Sequence, residues 1–391
     1  MITHKMKIIY HHRIASKDGQ YVHIEELITA LKALGHEIIM AEPEATEQKG
    51  FGASSNSVKL MRTLLPGFLH EFIEFSYALF DFAKLVPLIL KHKPDVIYER
   101  YNLFFPSGIW AKKLFKLPLL LEVNAPLFEE RKKHDGIQLD WLAKWSETYV
   151  WKQADHVLPV TRVLAEKIIA AGVPEHSISI IPNGINRQRF GSAIDSSDVI
   201  ERYQLKNKLV LGFTGFVRDW HRLDKVVQAI ADNKGRNWHL LLVGDGPARN
   251  AIEQQAASLG ISDHVSITGI IDRDEVARYV AVFDIALQPD VVAYASPLKL
   301  FEYMVLGKAI IAPDRANIRE ILTHRSDALL FNPNEEQAFT EQLRELCFDE
   351  NLRQRLGLAA AQTLDGKKLY WQENAKRIGN LIGPLAASKN H

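Results

Sequence analysis

Cysteine is almost absent: Cys347 is the only one in the chain, so no disulfide can form within it and a reducing compartment, the cytoplasm, is its simplest home. No stretch approaches the roughly 20 consecutive apolar residues of a membrane-spanning helix. The nearest candidate, Leu60–Leu90, is broken by Arg62, Glu71, Glu74, Asp81 and Lys84. Neither sign of charge is in excess, with Lys+Arg at 48 and Asp+Glu at 47, so no basic field invites nucleic acid. No Gly-x-Gly-x-x-Gly occurs, which counts against a dinucleotide-dependent dehydrogenase. Companion ligands are missing around His11 and His12, and Asp272-Arg273-Asp274 reads as helix capping after Gly269, so no metal or cofactor is expected. Met1–Met6 carries Lys5 and His4 with no apolar run behind them, so no signal peptide is expected.

What is present is an alternation of short β-branched runs with helical patterns. Strands are expected at Lys7–Tyr10, Glu37–Met40, Asp95–Tyr98, Leu119–Val123, His156–Val160 and Ile178–Ile181. A second set follows at Val210–Thr214, His239–Val243, Val265–Thr268, Ile285–Gln288, Ala309–Ala312 and Ala328–Phe331. Between them lie amphipathic helices such as Val22–Leu34, closed by Gly35. Such alternation builds right-handed βαβ units on parallel sheets. The polar stretch Gly191–Asp198 separates the sets, so two doubly wound domains facing across a cleft are expected. Phe68, Phe72, Phe75, Leu79 and Phe82 recur at helical spacing. This stripe, flanked by Lys59, Arg62, Lys84, Lys91 and Lys93, either packs on a sheet or meets a membrane surface or lipid-linked substrate.

The motifs fall at strand ends. In Ser296-Pro297-Leu298-Lys299-Leu300-Phe301-Glu302, Ser296 suits an N-cap and Pro297 a first helical position. The free amides of Leu298 and Lys299 would then form a phosphate seat. Glu302, four residues after Leu298, projects from the same face and is placed to accept ribose hydroxyls. In Gly215-Phe216-Val217-Arg218-Asp219-Trp220-His221-Arg222, Gly215 permits close backbone approach and Arg218 offers a fork for phosphate oxygens. His221 or Arg222 is available as a second positive group. Val243-Gly244-Asp245-Gly246-Pro247 is another tight turn, and Pro182-Asn183-Gly184 taken alone is only a turn. In the first half, Gly19 and Gln20 lie in the loop from Ser16 to His23, and Glu122 and Asn124 close the fourth strand.

Together these pieces resemble glycosyltransferase family 4, retaining sugar transferases of the GT-B fold. The likeness runs from Asp18-Gly19 to Trp371 and includes Ala154-Asp155, Pro182-Asn183-Gly184, Val243–Pro247 and Ser296–Gly307. It implies an acceptor-binding domain over residues 1–190, holding Gly19, Gln20, Glu122 and Asn124 at the acceptor site. A linker over 191–206 would lead to a nucleotide-sugar-binding domain over 207–369. Residues 370–391 would form a helix crossing back to the first domain. The family's diphosphate-binding Arg and Lys match Arg218 and, with a change of residue, His221. Its ribose-binding Glu matches Glu302, and Gly215, Gly246, Ile270, Pro297, Leu298 and Lys299 complete the donor site. Two departures stand out: Tyr294 replaces the first Glu of the family's Glu-x7-Glu pattern, and Asn124 stands where a His is common.

The expectation is a metal-independent retaining transferase that moves a sugar from a nucleotide diphosphate donor to a glycan or lipid-linked acceptor. It would be cytoplasmic, with peripheral contact at the inner face of the membrane as an option. Two rival readings fit the same residues: a nucleotide-sugar epimerase of the same architecture and a nucleotide-sugar-binding subunit with weakened activity.

Overall fold

The computed structural model describes residues 5–14, 19–43, 67–134, 136–191 and 194–387. Ser16–Asp18, Lys59 and Arg62 lie outside the described residues. The chain divides into two compact units, Met1–Pro182 with Trp371–His391, and Asn183–Tyr370.

The first unit is built on β1 (Lys7–His11), β2 (Glu37–Ala41), β3 (Val96–Arg100), β4 (Leu119–Val123) and β5 (His156–Pro159). These strands lie in the order β2-β1-β3-β4-β5, all parallel, with Ile9 opposite both Ile39 and Ile97. The second unit holds β6 (Leu209–Thr214), β7 (Trp238–Val243), β8 (Val265–Ile267), β9 (Ile285–Leu287), β10 (Ala309–Pro313) and β11 (Leu329–Phe331). Its order is β11-β10-β9-β6-β7-β8, again all parallel. Leu119-Leu120-Leu121 in β4 and Leu240-Leu241-Leu242 in β7 are fully buried, as expected of strands covered by helices on both faces. In each unit the order reverses once, between β1 and β3 and between β6 and β9. The carboxyl ends at such reversals are where doubly wound sheets hold ligands.

The division of the chain departs from the boundaries read in the sequence. The first break falls at Pro182/Asn183, ahead of the expected 190. The expected linker over 191–206 contains the helix Ser197–Arg202, and Val199 and Leu205 are buried in the core of the second unit. Its polar face hid two apolar anchors. Ile178–Ile181 is no strand: Ser179 N–H bonds to Val157 O and Ile181 N–H to Pro159 O, and Pro182 then ends the pairing. The helix Trp371–Ala387 belongs to the first unit, where it packs on the helix Gly19–Ala33.

The aromatic stripe lies on the helix Gly67–His92, and its place differs from simple sheet packing. That helix turns Ala78, Leu85 and Ile89 inward, while Phe68, Phe72 and Leu79 are 52, 58 and 61% exposed. Phe75 and Phe82 lean on Trp110, and Phe75 also meets Trp145. Among the described residues no helix is long and apolar enough to cross a membrane.

Candidate active site

At the carboxyl end of β6 the chain turns through Gly215, whose φ of +118° is a conformation that disfavours a side chain. Its amide bonds to Val243 O at 2.9 Å, and Val217 N–H to Asp245 O at 2.9 Å, so the turns after β6 and β7 are laced together. Gly244 and Gly246 exist for that lacing. A Cβ on Gly244 would lie 2.1 Å from Gly215 O, and one on Gly246 would lie 2.1 Å from Val217 O. Gly246 is therefore a packing residue between the two turns. A Cβ on Gly215 would instead meet only the Lys299 side chain, Nζ at 3.4 Å. Ile270 lies on the loop after β8 and is 62% exposed.

The helix Leu298–Val305 begins one residue later than its sequence suggested. Pro297, with ψ at 118°, is the N-cap and not the first helical residue, and Ser296 caps nothing. The Ser296 hydroxyl accepts the Asn183 backbone N–H at 3.1 Å, and the Asn183 side-chain amide donates to Ser296 O. From the other side, Asn317 Nδ2 donates to Val292 O at 3.1 Å and to Ala295 O at 2.7 Å. Two buried Asn side chains thus satisfy the backbone of the loop that aims the helix, an expensive backbone to leave unpaired. The Leu298 and Lys299 amides are the first of the helix, where no preceding turn supplies an acceptor.

Around this terminus the structure collects Arg218, His221, Lys299 and Glu302. Thr214, the last residue of β6, donates its hydroxyl to Glu302 Oε2 at 3.3 Å, and its own N–H goes to Tyr303 Oη at 3.0 Å. Burial raises the Glu302 carboxyl, against the opposing pull of Lys299 and the Thr214 hydrogen bond. Arg218 is exposed, its guanidinium 4.8 Å from the Phe216 ring and 4.7 Å from Trp220. His221 contradicts its assignment as a cation. Burial, helped by Lys299 and Arg218 nearby, lowers it to about 3, and its Nδ1 accepts the Arg218 backbone N–H at 3.2 Å. At neutral pH it is an uncharged imidazole packed on Phe213. The sequence valued Lys299 only for its amide. The signal for its side chain is a lone Lys between Leu298 and Leu300, with neighbours at Phe213 and Gly215, 86 and 84 positions earlier, that only the fold reveals.

In the first unit, Gly19 and Gln20 open the helix Gly19–Ala33 and are exposed. Glu122 is buried, and protein groups occupy its carboxylate. Arg100 and Asn124 donate to Oε1, while Tyr98 Oη at 2.8 Å, Tyr10 Oη at 3.4 Å and His23 Nε2 at 3.0 Å reach Oε2. Burial alone would raise this carboxyl, but His23 and Arg100 hold it well below the usual range. Glu122 is therefore an internal anchor, and Asn124, half-buried, is the residue of the pair that reaches the surface. A second cluster was not legible in the sequence. His11 sits between Asp81 at 2.9 Å and Glu99 at 2.8 Å. Burial would lower His11, but the hydrogen bonds to Asp81 and Glu99 outweigh it and raise it to about 10. No local pattern joins residues 88 apart. Asp272-Arg273-Asp274 caps no helix through its side chains. Asp274 pairs with Arg189, and no cluster able to hold a metal ion occurs among the described residues.

Residues 18–184 match the model of the Glycosyl transferase 4-like domain, and residues 196–363 match Glycosyl transferases group 1. The chain is a glycosyltransferase of the GT-B fold, a 4-like domain followed by a group 1 domain. An uncharacterized glycosyltransferase of Methanocaldococcus jannaschii is 21% identical over 94% of this chain and 95% of its own length. The amylovoran biosynthesis glycosyltransferase AmsK of Erwinia amylovora is 23% identical over 72% of this chain and 70% of its own. The crystal structure of Anabaena HepE in complex with UDP covers 97% of this chain and 100% of its own, with a TM-score of 0.73 and 16% identity. These matches favour neither the epimerase nor the weakened binding subunit.

Proposed function

We propose that this chain is a retaining, metal-independent transferase, of the kind grouped as glycosyltransferase family 4. It would take a sugar from a nucleoside diphosphate donor and place it on a glycan or lipid-linked acceptor. The observation that carries this is the assembly around Gly215: free helix amides at Leu298 and Lys299, a guanidinium at Arg218, and Glu302 one helical turn beyond. Phosphates at the amides put the ribose within reach of the Glu302 carboxylate. The UDP complex of HepE and the polysaccharide role in the name of AmsK support this donor and acceptor class.

In the reaction, the bond between the anomeric carbon and the diphosphate oxygen breaks and a bond to the acceptor oxygen forms on the same face. The acceptor proton passes to the departing phosphate oxygen. Arg218 and the helix terminus stabilise the charge that grows on that diphosphate, the interaction strengthened most in the transition state. With cationic groups already present, a divalent ion is not required for this step. Asn124 can hydrogen-bond an acceptor or sugar hydroxyl but cannot act as a base.

The test is donor hydrolysis and transfer across a panel of nucleotide sugars, in excess chelator, with the product's anomeric configuration read by NMR. Turnover with retained configuration is expected. Strict dependence on magnesium or manganese, or inversion, would overturn the proposal.

A further inference from the structure

We propose that the Lys299 ammonium is the second cation of the diphosphate site, filling from the helix the role that the sequence motif gives to His221 in the preceding loop. This rests on the nucleoside-diphosphate reading above and names a ligand for one of its side chains.

The position at 221 cannot supply the charge, because that imidazole is spent inside the protein. Its Nδ1 accepts the Arg218 N–H at 3.2 Å and its ring packs 4.8 Å from Phe213 and 5.9 Å from Trp220. Lys299 lies against the same strand end. Its Nζ is 3.7 Å from the centre of the Phe213 ring and adjoins the bare α-carbon of Gly215.

Three N–H donors converge there with no acceptor: among the described residues Lys299 makes neither a hydrogen bond nor an ion pair, and Glu302 stands beyond ion-pair distance. Other half-buried lysines are served. Lys112 donates to Gln153 O and Asp155, Lys308 to Ala281 O at 2.6 Å, and Lys225 to Glu336 O at 3.0 Å. An ammonium sheltered from water with only an aromatic face for company is costly unless an anion completes it. Lys299 and Arg218 both act on His221 from nearby, and the Leu298 and Lys299 amides open the helix that carries the ammonium, so an anion able to use amides, ammonium and guanidinium together is a diphosphate.

The arrangement makes donor binding proton-linked. Burial lowers Lys299 to about 7 despite Glu302, so in the free protein a sizeable fraction is neutral near physiological pH. The charged and titratable groups around it are Glu302 on its own helix, with Arg273 acting on that carboxyl, and Arg218 and His221 from the loop after β6. A diphosphate binds the protonated amine, so affinity falls as pH rises above 7, by up to about tenfold per unit.

Calorimetric titration of UDP and UMP into wild type, Lys299→Met and His221→Gln, from pH 6.5 to 9, decides the matter. Lys299→Met should weaken UDP by roughly 10–150-fold and UMP by under about threefold, and should flatten the pH dependence seen for UDP in wild type. His221→Gln should keep both the preference for UDP over UMP and the pH slope. The inference fails if Lys299→Met affects the two nucleotides alike or neither, or if His221→Gln is the variant that loses the preference. The wild-type pH slope needs no variant, so a poorly folding Lys299→Met leaves the test intact: no slope overturns it. If wild type binds none of UDP, GDP or ADP, the nucleotide reading itself falls. Binding without the Lys299 signature leaves that reading standing and removes only this one.

Discussion

Two glutamates show how context decides what a residue does. Glu122 is the penultimate residue of β4 and Glu302 lies on the helix Leu298–Val305, and the sequence offers both as candidates for ligand binding. Glu122 has its oxygens filled by Arg100, Asn124, Tyr98, Tyr10 and His23, whereas Glu302 has one hydroxyl from Thr214 at 3.3 Å. A carboxylate with spare lone pairs is the one that can take a ligand. Glu302→Ala should therefore remove charge-assisted hydrogen bonds worth about 1.5–3 kcal/mol and weaken nucleotide binding roughly 10–150-fold. The melting temperature should change little, because Glu302 is not in the core. Titration calorimetry checks this, and unchanged affinity would remove Glu302 from the ribose site.

At the scale of elements, the helix Leu298–Val305 is short and owes its aim to two distant asparagines, Asn183 and Asn317, more than to its own cap. The helix Gly67–His92 poses the opposite problem, having more apolar surface than its unit covers. We propose that this face meets an anionic membrane. Phe72 and Leu79 are exposed on it, and Trp141 at 70% and Trp145 at 45% are exposed on the helix Asp140–Gln153, which meets it through Phe75 and Trp145; together these exceed what scattered surface apolars require. Lysines fringe them: Lys144 and Lys152 line a depression with Trp141, Trp145 and Tyr149, and Lys113 lies 5.0 Å over the Tyr149 ring. Aromatic rings edged by ammonium groups suit a headgroup boundary, with about 1 kcal/mol from each lysine near an anionic surface. Flotation with anionic liposomes should recover the protein at low salt and lose it at high salt. Phe72→Ser combined with Trp141→Ser should abolish flotation without lowering the melting temperature. No flotation of wild type, or unfolding of the double variant, would assign the face to packing.

At the scale of the whole molecule, the C-terminal helix completes a unit begun at the other end of the chain. Trp371, Ala375, Ile378 and Ile382 are buried, and Trp371 meets His23 with ring centres 4.9 Å apart. Burial of such side chains is worth about 1.5–3 kcal/mol each for the larger ones, which together rival the 5–15 kcal/mol that holds a typical domain. A chain ending at Tyr370 should lose hydrogen-exchange protection in β1–β5 and keep it in β6–β11. Equal loss in both sheets, or in neither, would show that the helix does not hold the first unit together.

The two sheets, their strands and the helix at Leu298 were legible because each is encoded locally, as buried apolar runs between helical periods and as a Pro beside a free helix end. Eleven strands were located in the sequence to within two residues at each end, and the error at Ile178–Ile181 came from an apolar run with too little partner strand to pair with. Charge states and partners were not legible. That His221 is neutral, that Lys299 has an unmatched ammonium, that His11 is held between Asp81 and Glu99, and that Glu122 is already occupied all depend on desolvation and on contacts between residues tens of positions apart. Local pattern sets which element forms and which residues stand at its end. Only the packed structure sets how much water each of those residues keeps and what lies opposite it, and those two quantities decide its charge and its function.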